Sequence, residues 1–150
     1  MQVLDGKKTS LDIQQEIAQE VQLLVDEGKK KPHLAAILVG NNGASETYVC
    51  AKVKACERVG FDSTLLRFDE SITEDELVAE VNKINKDTNI DGLIVQLPLP
   101  SHINEMTITE TILPSKDVDG FHPQNIGRMA LNLPTSVSYT HLRAHETSKH

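Results

Sequence analysis

Tyr48 and Lys52 stand four residues apart in a stretch with helical character, so an aromatic ring and an ammonium project from one face. A flat ring held against an amine can stack a heteroaromatic ligand while the amine moves a proton. The face also carries Ala55 and Val59, which makes it partly apolar. A lysine desolvated beside such a wall has its pKa lowered and works as an acid or base near neutrality. The plain alternatives are a solvated helix lysine and a boundary tyrosine with a wet hydroxyl. Gln96 interrupts an apolar run, Gly-Leu-Ile-Val-Gln-Leu over residues 92–97. A buried amide left unpaired costs roughly 1–3 kcal/mol, so Gln96 needs a partner, and Lys52 or a ligand would serve. Asp117-Val118-Asp119-Gly120 places two carboxylates at a glycine turn. One can accept paired hydrogen bonds from an amidine-like edge such as a 2-aminopyrimidinone, while the other acts as an Asx-type turn residue. The same run lacks the later acidic positions of a calcium loop.

The elements that must position these residues follow from periodicity. Residues 2–4 suit a short strand closed by an Asp5-Gly6 turn. Ile13, Ile17, Val21 and Leu24 then recur at helical spacing, ending at Gly28 and a basic run. Residues 34–39 form a continuous apolar run of strand length, typical of a strand buried on both faces. A Gly40-Asn41-Asn42-Gly43 turn leads into a helix over 44–59 with Val49, Val53 and Cys56 as its core stripe. Residues 63–68 read as a second central strand. Thr73 to Glu76 is a capping box opening a helix striped by Leu77, Val81 and Ile84. Residues 92–97 are the third buried strand, stopped by Pro98; a short helix over 103–113 and a charged turn over 116–120 follow. Strands alternating with helices indicate an α/β three-layer sandwich with a mainly parallel sheet. Ligands of such sheets bind beyond the carboxyl ends of the strands, where the helix bearing Tyr48 and Lys52 begins and where Gln96 lies.

Composition narrows the classes. The 150-residue chain has 39% hydrophobic residues, 3% aromatic, and a net charge of −7. The core is therefore aliphatic, and the charge argues against nucleic acid or an anionic membrane as partner. No apolar run reaches spanning length, and no targeting presequence is legible, which leads to the expectation of a cytoplasmic protein. Cys50 and Cys56 lie six apart and suit neither a disulfide nor a metal pair, so buried free thiols are expected. His33, His102 and His122 show no ligand spacing, and no metal site is expected. The Gly40 turn is not a GxGxxG fingerprint and no P-loop is present, so the chain offers no cofactor-binding residues of its own.

Taken together, four stretches carry a resemblance: residues 32–40, Ser45-Glu46-Thr47-Tyr48 through Lys52, residues 91–100, and residues 116–128. Their ordered spacing resembles the catalytic domain of the bifunctional methylenetetrahydrofolate dehydrogenase/methenyltetrahydrofolate cyclohydrolase family, closest to bacterial members, over residues 1–135. The resemblance implies oxidation of 5,10-methylenetetrahydrofolate with NADP or NAD and hydrolysis of the methenyl product to 10-formyltetrahydrofolate. It implies Lys52 as the cyclohydrolase acid/base, Gln96 holding Lys52 and tuning its protonation, and Tyr48 stacking on the folate. Asp119 would anchor the pterin edge, with Ser45 and Leu97 lining the pocket. It further implies a homodimer and a Rossmann nucleotide-binding domain, which these residues do not include. A fragment without that domain is expected to lack hydride transfer; a non-catalytic folate-binding or dimerising piece is the alternative. Residues 136–150 depart from the family pattern and read like a translated sequencing adapter, so they are expected to be a non-native tail.

Overall fold

The computed structural model describes residues 5–136. Five helices and three strands alternate: α1 (Gly6–Asp26), β1 (His33–Val39), α2 (Gly43–Val59), β2 (Asp62–Phe68), α3 (Glu74–Lys86), β3 (Gly92–Val95), α4 (Glu105–Thr111) and α5 (Pro123–Ala130). The strands form a parallel sheet in the order β2-β1-β3. The α/β sandwich expected from the pattern is the fold observed.

The continuous apolar run of β1 has its reason in this order. As the middle strand it is covered on both faces. Ala35, Ile37 and Val39 join Leu77, Val81 and Ile84 of α3 and Ile108 and Ile112 near α4. Ala36 and Leu38 face Val49 of α2, with Val53 packed beside them. α1 lies outside α2, touching it through the buried Val21. Thr73 and Glu76 close the expected capping box: the Thr73 backbone N–H donates to the Glu76 carboxylate, and the Glu76 N–H to the Thr73 hydroxyl.

Several expectations are corrected. Asp5 is the N-cap of α1, accepting from the Lys8 N–H at 3.0 Å, and not part of a turn; the strand expected over residues 2–4 lies outside the described residues, as does the stretch expected to be a non-native tail apart from Ser136. β2 is an edge of the described sheet and not a central strand, and its burial is only partial. β3 ends at Val95, leaving Gln96 just beyond it, although the Gln96 N–H still reaches the Ile37 carbonyl at 2.9 Å. The helix expected over 103–113 covers only Glu105–Thr111, because Asn104 caps it through the N–H groups of Met106 and Thr107. α5 had no counterpart in the sequence reading; Pro123 at its first position and a His122 ring nitrogen accepting from the Gln124 N–H begin it. Cys56 is buried as expected, and burial pushes its thiol pKa up, whereas Cys50 is only half-buried.

Candidate functional site

The chain enters α2 from the carboxyl end of β1. Asn42 caps the helix, its side-chain oxygen accepting from the N–H groups of Ala44 at 3.0 Å and Ser45 at 3.1 Å. That fixes the rotation of α2. Tyr48 stands out from it, 64% exposed, with its ring available for stacking. Ser45 is turned under the first turn and buried. One turn beyond Tyr48, Lys52 projects toward the loop after α4.

That loop brings Asp119. Its Oδ2 lies 3.5 Å from Lys52 Nζ, with both side chains about one-third exposed (34% and 29%). Burial raises the Asp119 pKa above the ordinary carboxylate range; the Lys52 ammonium opposes this, and the neighbouring Asp117 carboxylate adds to it. Leu97 and Asp119 share a crevice with Leu93, Val95, Ile108 and Phe121, but its volume of ≈ 10 Å³ accommodates about one water. The site is thus an open edge, not a closed pocket. At the same edge, Gly40, Asn41, Asn42, Glu70 and residues 98–100 bound a groove of ≈ 350 Å³.

The two aspartates separate clearly. Asp117 is buried, and its carboxylate accepts from the N–H groups of Gly120 (3.0 Å), Phe121 (3.3 Å) and His122 (2.9 Å) and from Asn125 Nδ2 (2.9 Å). It is the turn residue. Asp119 is the carboxylate that faces outward to Lys52. Lys116, read as part of a charged turn, donates from Nζ to the Ile84 and Asp87 carbonyls at the end of α3, at 2.7 and 2.6 Å.

Gln96 differs from expectation in its partner. Its Nε2 donates to the Leu97 carbonyl at 2.7 Å, and no bond joins it to Lys52. Among the described residues, Gln96 Oε1 is the buried side-chain atom left without a hydrogen-bond partner. Sequence reasoning missed Asn125, which is buried and bridges Asp117 to the Pro114 carbonyl at 2.9 Å. Its signal was an amide one turn into a proline-initiated helix directly after the aspartate turn.

The Asn42 side chain already occupies N–H groups at the start of α2 that would otherwise face a phosphate. Among the described residues no group of three or more His, Cys, Asp or Glu side chains is arranged to hold a metal, and no helix is long and apolar enough to cross a membrane.

A parallel α/β sandwich with polar side chains at the carboxyl ends of its strands has the build of a ligand-binding α/β domain. The chain belongs to the tetrahydrofolate dehydrogenase/cyclohydrolase family, matching its catalytic domain over residues 4–119. It is 61% identical over 140 residues to the bifunctional protein FolD of Flavobacterium johnsoniae, a match covering 93% of this chain and 48% of that protein. Among solved structures, the 5,10-methylenetetrahydrofolate dehydrogenase of the silkworm Bombyx mori superposes with a TM-score of 0.90 at 42% identity, over 97% of this chain and 50% of the other. The FolD dehydrogenase-cyclohydrolase of Trypanosoma brucei, solved with NADP cofactor and inhibitor, gives 0.85 at 32% identity, over 91% and 46%. The chain spans about half the length of the curated relatives it matches.

Proposed function

We propose that this chain is the folate-binding catalytic half of a bifunctional enzyme that oxidises 5,10-methylenetetrahydrofolate and hydrolyses the methenyl product to 10-formyltetrahydrofolate. The observation that carries the reading is the meeting of Lys52 and Asp119, from α2 and a distant loop, at 3.5 Å on the open carboxyl edge of the sheet. Both lie within the span matched to the family. Tyr48 offers its exposed ring to the pterin, and Asp119 accepts from the pterin's amino-pyrimidinone edge. Leu97 and Ser45 shape the floor. In the cyclohydrolase step a water adds to the one-carbon bridge and one carbon–nitrogen bond breaks. Lys52 carries the proton between the incoming oxygen and the departing nitrogen, and Gln96 Oε1, with no partner in the free chain, accepts from Lys52 once the ligand has taken Asp119.

Hydride transfer needs NADP or NAD. We place the site for that cofactor in the other half of the protein, since Asn42 already caps the start of α2 and the sequence holds no GxGxxG fingerprint, and we expect this chain alone to bind folate without oxidising it. The full protein is a cytoplasmic homodimer in this reading, with residues 1–135 as one domain and residues 136–150 as a non-native tail. Titrating the 150-residue chain with 5-formyltetrahydrofolate should raise its melting temperature, and Asp119→Ala should remove the shift. In the full-length protein, Lys52→Ala should keep the fold and lose cyclohydrolase turnover by ~10²-fold or more. Unchanged hydrolysis would remove Lys52 from the mechanism.

A further inference from the structure

The loop that delivers Asp119 is held at three places, none of them Asp119 itself. At its start, the Leu93 N–H donates to the Lys116 carbonyl at 2.7 Å, and Asp117 pairs in parallel with Leu93, so the loop runs as a short continuation of the sheet beside β3. In its middle, Val118 packs so closely on Gly92 that a Cβ there would lie 2.7 Å from Val118 Cγ1. At its end, Gly120 takes a positive φ of 71°, turning the chain back so that its own N–H reaches the Asp117 carboxylate. The chain from 117 to 122 is thereby wrapped around one buried anion. Asn125 closes the wrapping from α5, its Nδ2 shared between Asp117 Oδ2 and the Pro114 carbonyl, both at 2.9 Å.

Two consequences follow. Asp117 has both carboxylate oxygens engaged inward and cannot serve a ligand. Asp119, two residues along, points outward toward Lys52 from the turn that this cage holds. We propose that Asp117 and Asn125 are positioning residues that act on the ligand through Asp119, by setting where its carboxylate stands relative to Lys52. The inference rests on the folate reading above and adds to it a specificity determinant on α5.

The test separates positioning from mere structural support by a double-mutant cycle. Affinity for 5-formyltetrahydrofolate is measured calorimetrically for the 150-residue chain, Asn125→Ala, Asp119→Asn and the double variant. Loss of one charge-assisted hydrogen bond from the cage should weaken binding ~10-fold in Asn125→Ala. In the Asp119→Asn background the same change should cost less than about twofold, because the group it positions is gone. Losses that multiply in the double variant, or an Asn125→Ala chain that binds like its parent, overturn the proposal. Asn125→Ser, which retains one donor, carries the same expectation at smaller amplitude where alanine leaves the chain unfolded. A parent chain that does not bind the folate sinks the functional reading alone. The carbon-13 titration of the Asp119 carboxyl, read without ligand, then decides. A midpoint that moves toward the ordinary carboxylate value in Asn125→Ala sustains the positioning role, and an unmoved midpoint refutes it.

Discussion

Gly92→Ala isolates the contact between β3 and the aspartate loop. The new Cβ would lie 2.7 Å from Val118 Cγ1, 3.4 Å from Leu34 Cδ1 and 3.6 Å from Val118 Cγ2. Carbon atoms pack at about 3.5–4.0 Å, so Val118 has to retreat by roughly 1 Å. It cannot do so freely, since Asp117 on one side is held by backbone and side-chain donors and Asp119 on the other pairs with Lys52. Overpacking of this kind costs typically ~1–3 kcal/mol. Gly92 does not have a positive φ, so backbone strain adds nothing, and an alanine there would by itself gain about 0.4–1 kcal/mol by restricting the unfolded chain. Val118 is 40% exposed, so trimming it to alanine costs little, under ~1 kcal/mol. The double variant Gly92→Ala, Val118→Ala should therefore recover most of the stability lost in Gly92→Ala, a coupling of ~1–2 kcal/mol in urea denaturation of the four proteins. A Gly92→Ala chain within ~0.5 kcal/mol of its parent, or a double variant no more stable than the single, would show that the loop is not seated on this glycine.

Asp119→Asn tests the price of the site. Because burial holds the Asp119 carboxyl above its ordinary range, the folded chain binds that proton more tightly than the unfolded one. Its contribution favours the fold below the ordinary carboxylate pKa and is lost as pH rises through the raised value. Asp119→Asn should thus melt at or above the parent temperature at pH 7, with the difference closing in acid; a variant that melts lower at neutral pH contradicts this. Lys116→Met removes two charge-assisted bonds to the end of α3 and should cost ~1–3 kcal/mol by chemical denaturation. Gln96→Met removes a buried unpaired oxygen together with one hydrogen bond to the Leu97 carbonyl, so the free chain should lose no more than ~0.5 kcal/mol; a loss above ~1 kcal/mol would mean that Oε1 is satisfied in solution.

What could be read in the sequence follows the range of the forces involved. The stripe of Leu77, Val81 and Ile84 and the Thr73–Glu76 box are local, and both formed as expected. The run at residues 34–39 announced a strand covered on both faces, which its middle place in the sheet explains. Whether residues 63–68 were central or at an edge was not legible, since Leu65 and Leu66 pack on opposite faces in either place and only strand order tells them apart. For the site, the helical spacing of Tyr48 and Lys52 and the division of the two aspartates into a turn residue and an outward-facing one were legible. Spacing alone left open which aspartate that was, and only the family resemblance named Asp119; that it meets Lys52 depends on a glycine turn and an amide in α5 that no short-range pattern connects to them. The expected Gln96–Lys52 contact failed because β3 ends at Val95, and the Gln96 amide turns to the adjacent Leu97 carbonyl.

The polar groups that remain energetically unsettled lie together. Lys116 and Asp117 are each held by several partners, and the start of α3 is capped from both directions. Those residues serve the fold through these hydrogen bonds. Asp119 and Gln96 are the exceptions. Asp119 sits partly buried with its carboxyl pKa raised and its cation 3.5 Å away, longer than the ~2.7–2.9 Å of a tight charge-assisted bond. Gln96 keeps a buried oxygen with no protein donor among the described residues, a type of group whose burial unpaired costs roughly 1–3 kcal/mol. Local deficits of this kind concentrate where a ligand completes the structure. Here the two complement each other. In the proposed function, a ligand edge that donates to Asp119 would release the Lys52 ammonium, and the Gln96 oxygen is the type of group an ammonium seeks. The long Lys52–Asp119 pair and the unpaired Gln96 oxygen are the physical support for the proposal that the three act as one unit, with Asp117 and Asn125 holding its outer wall.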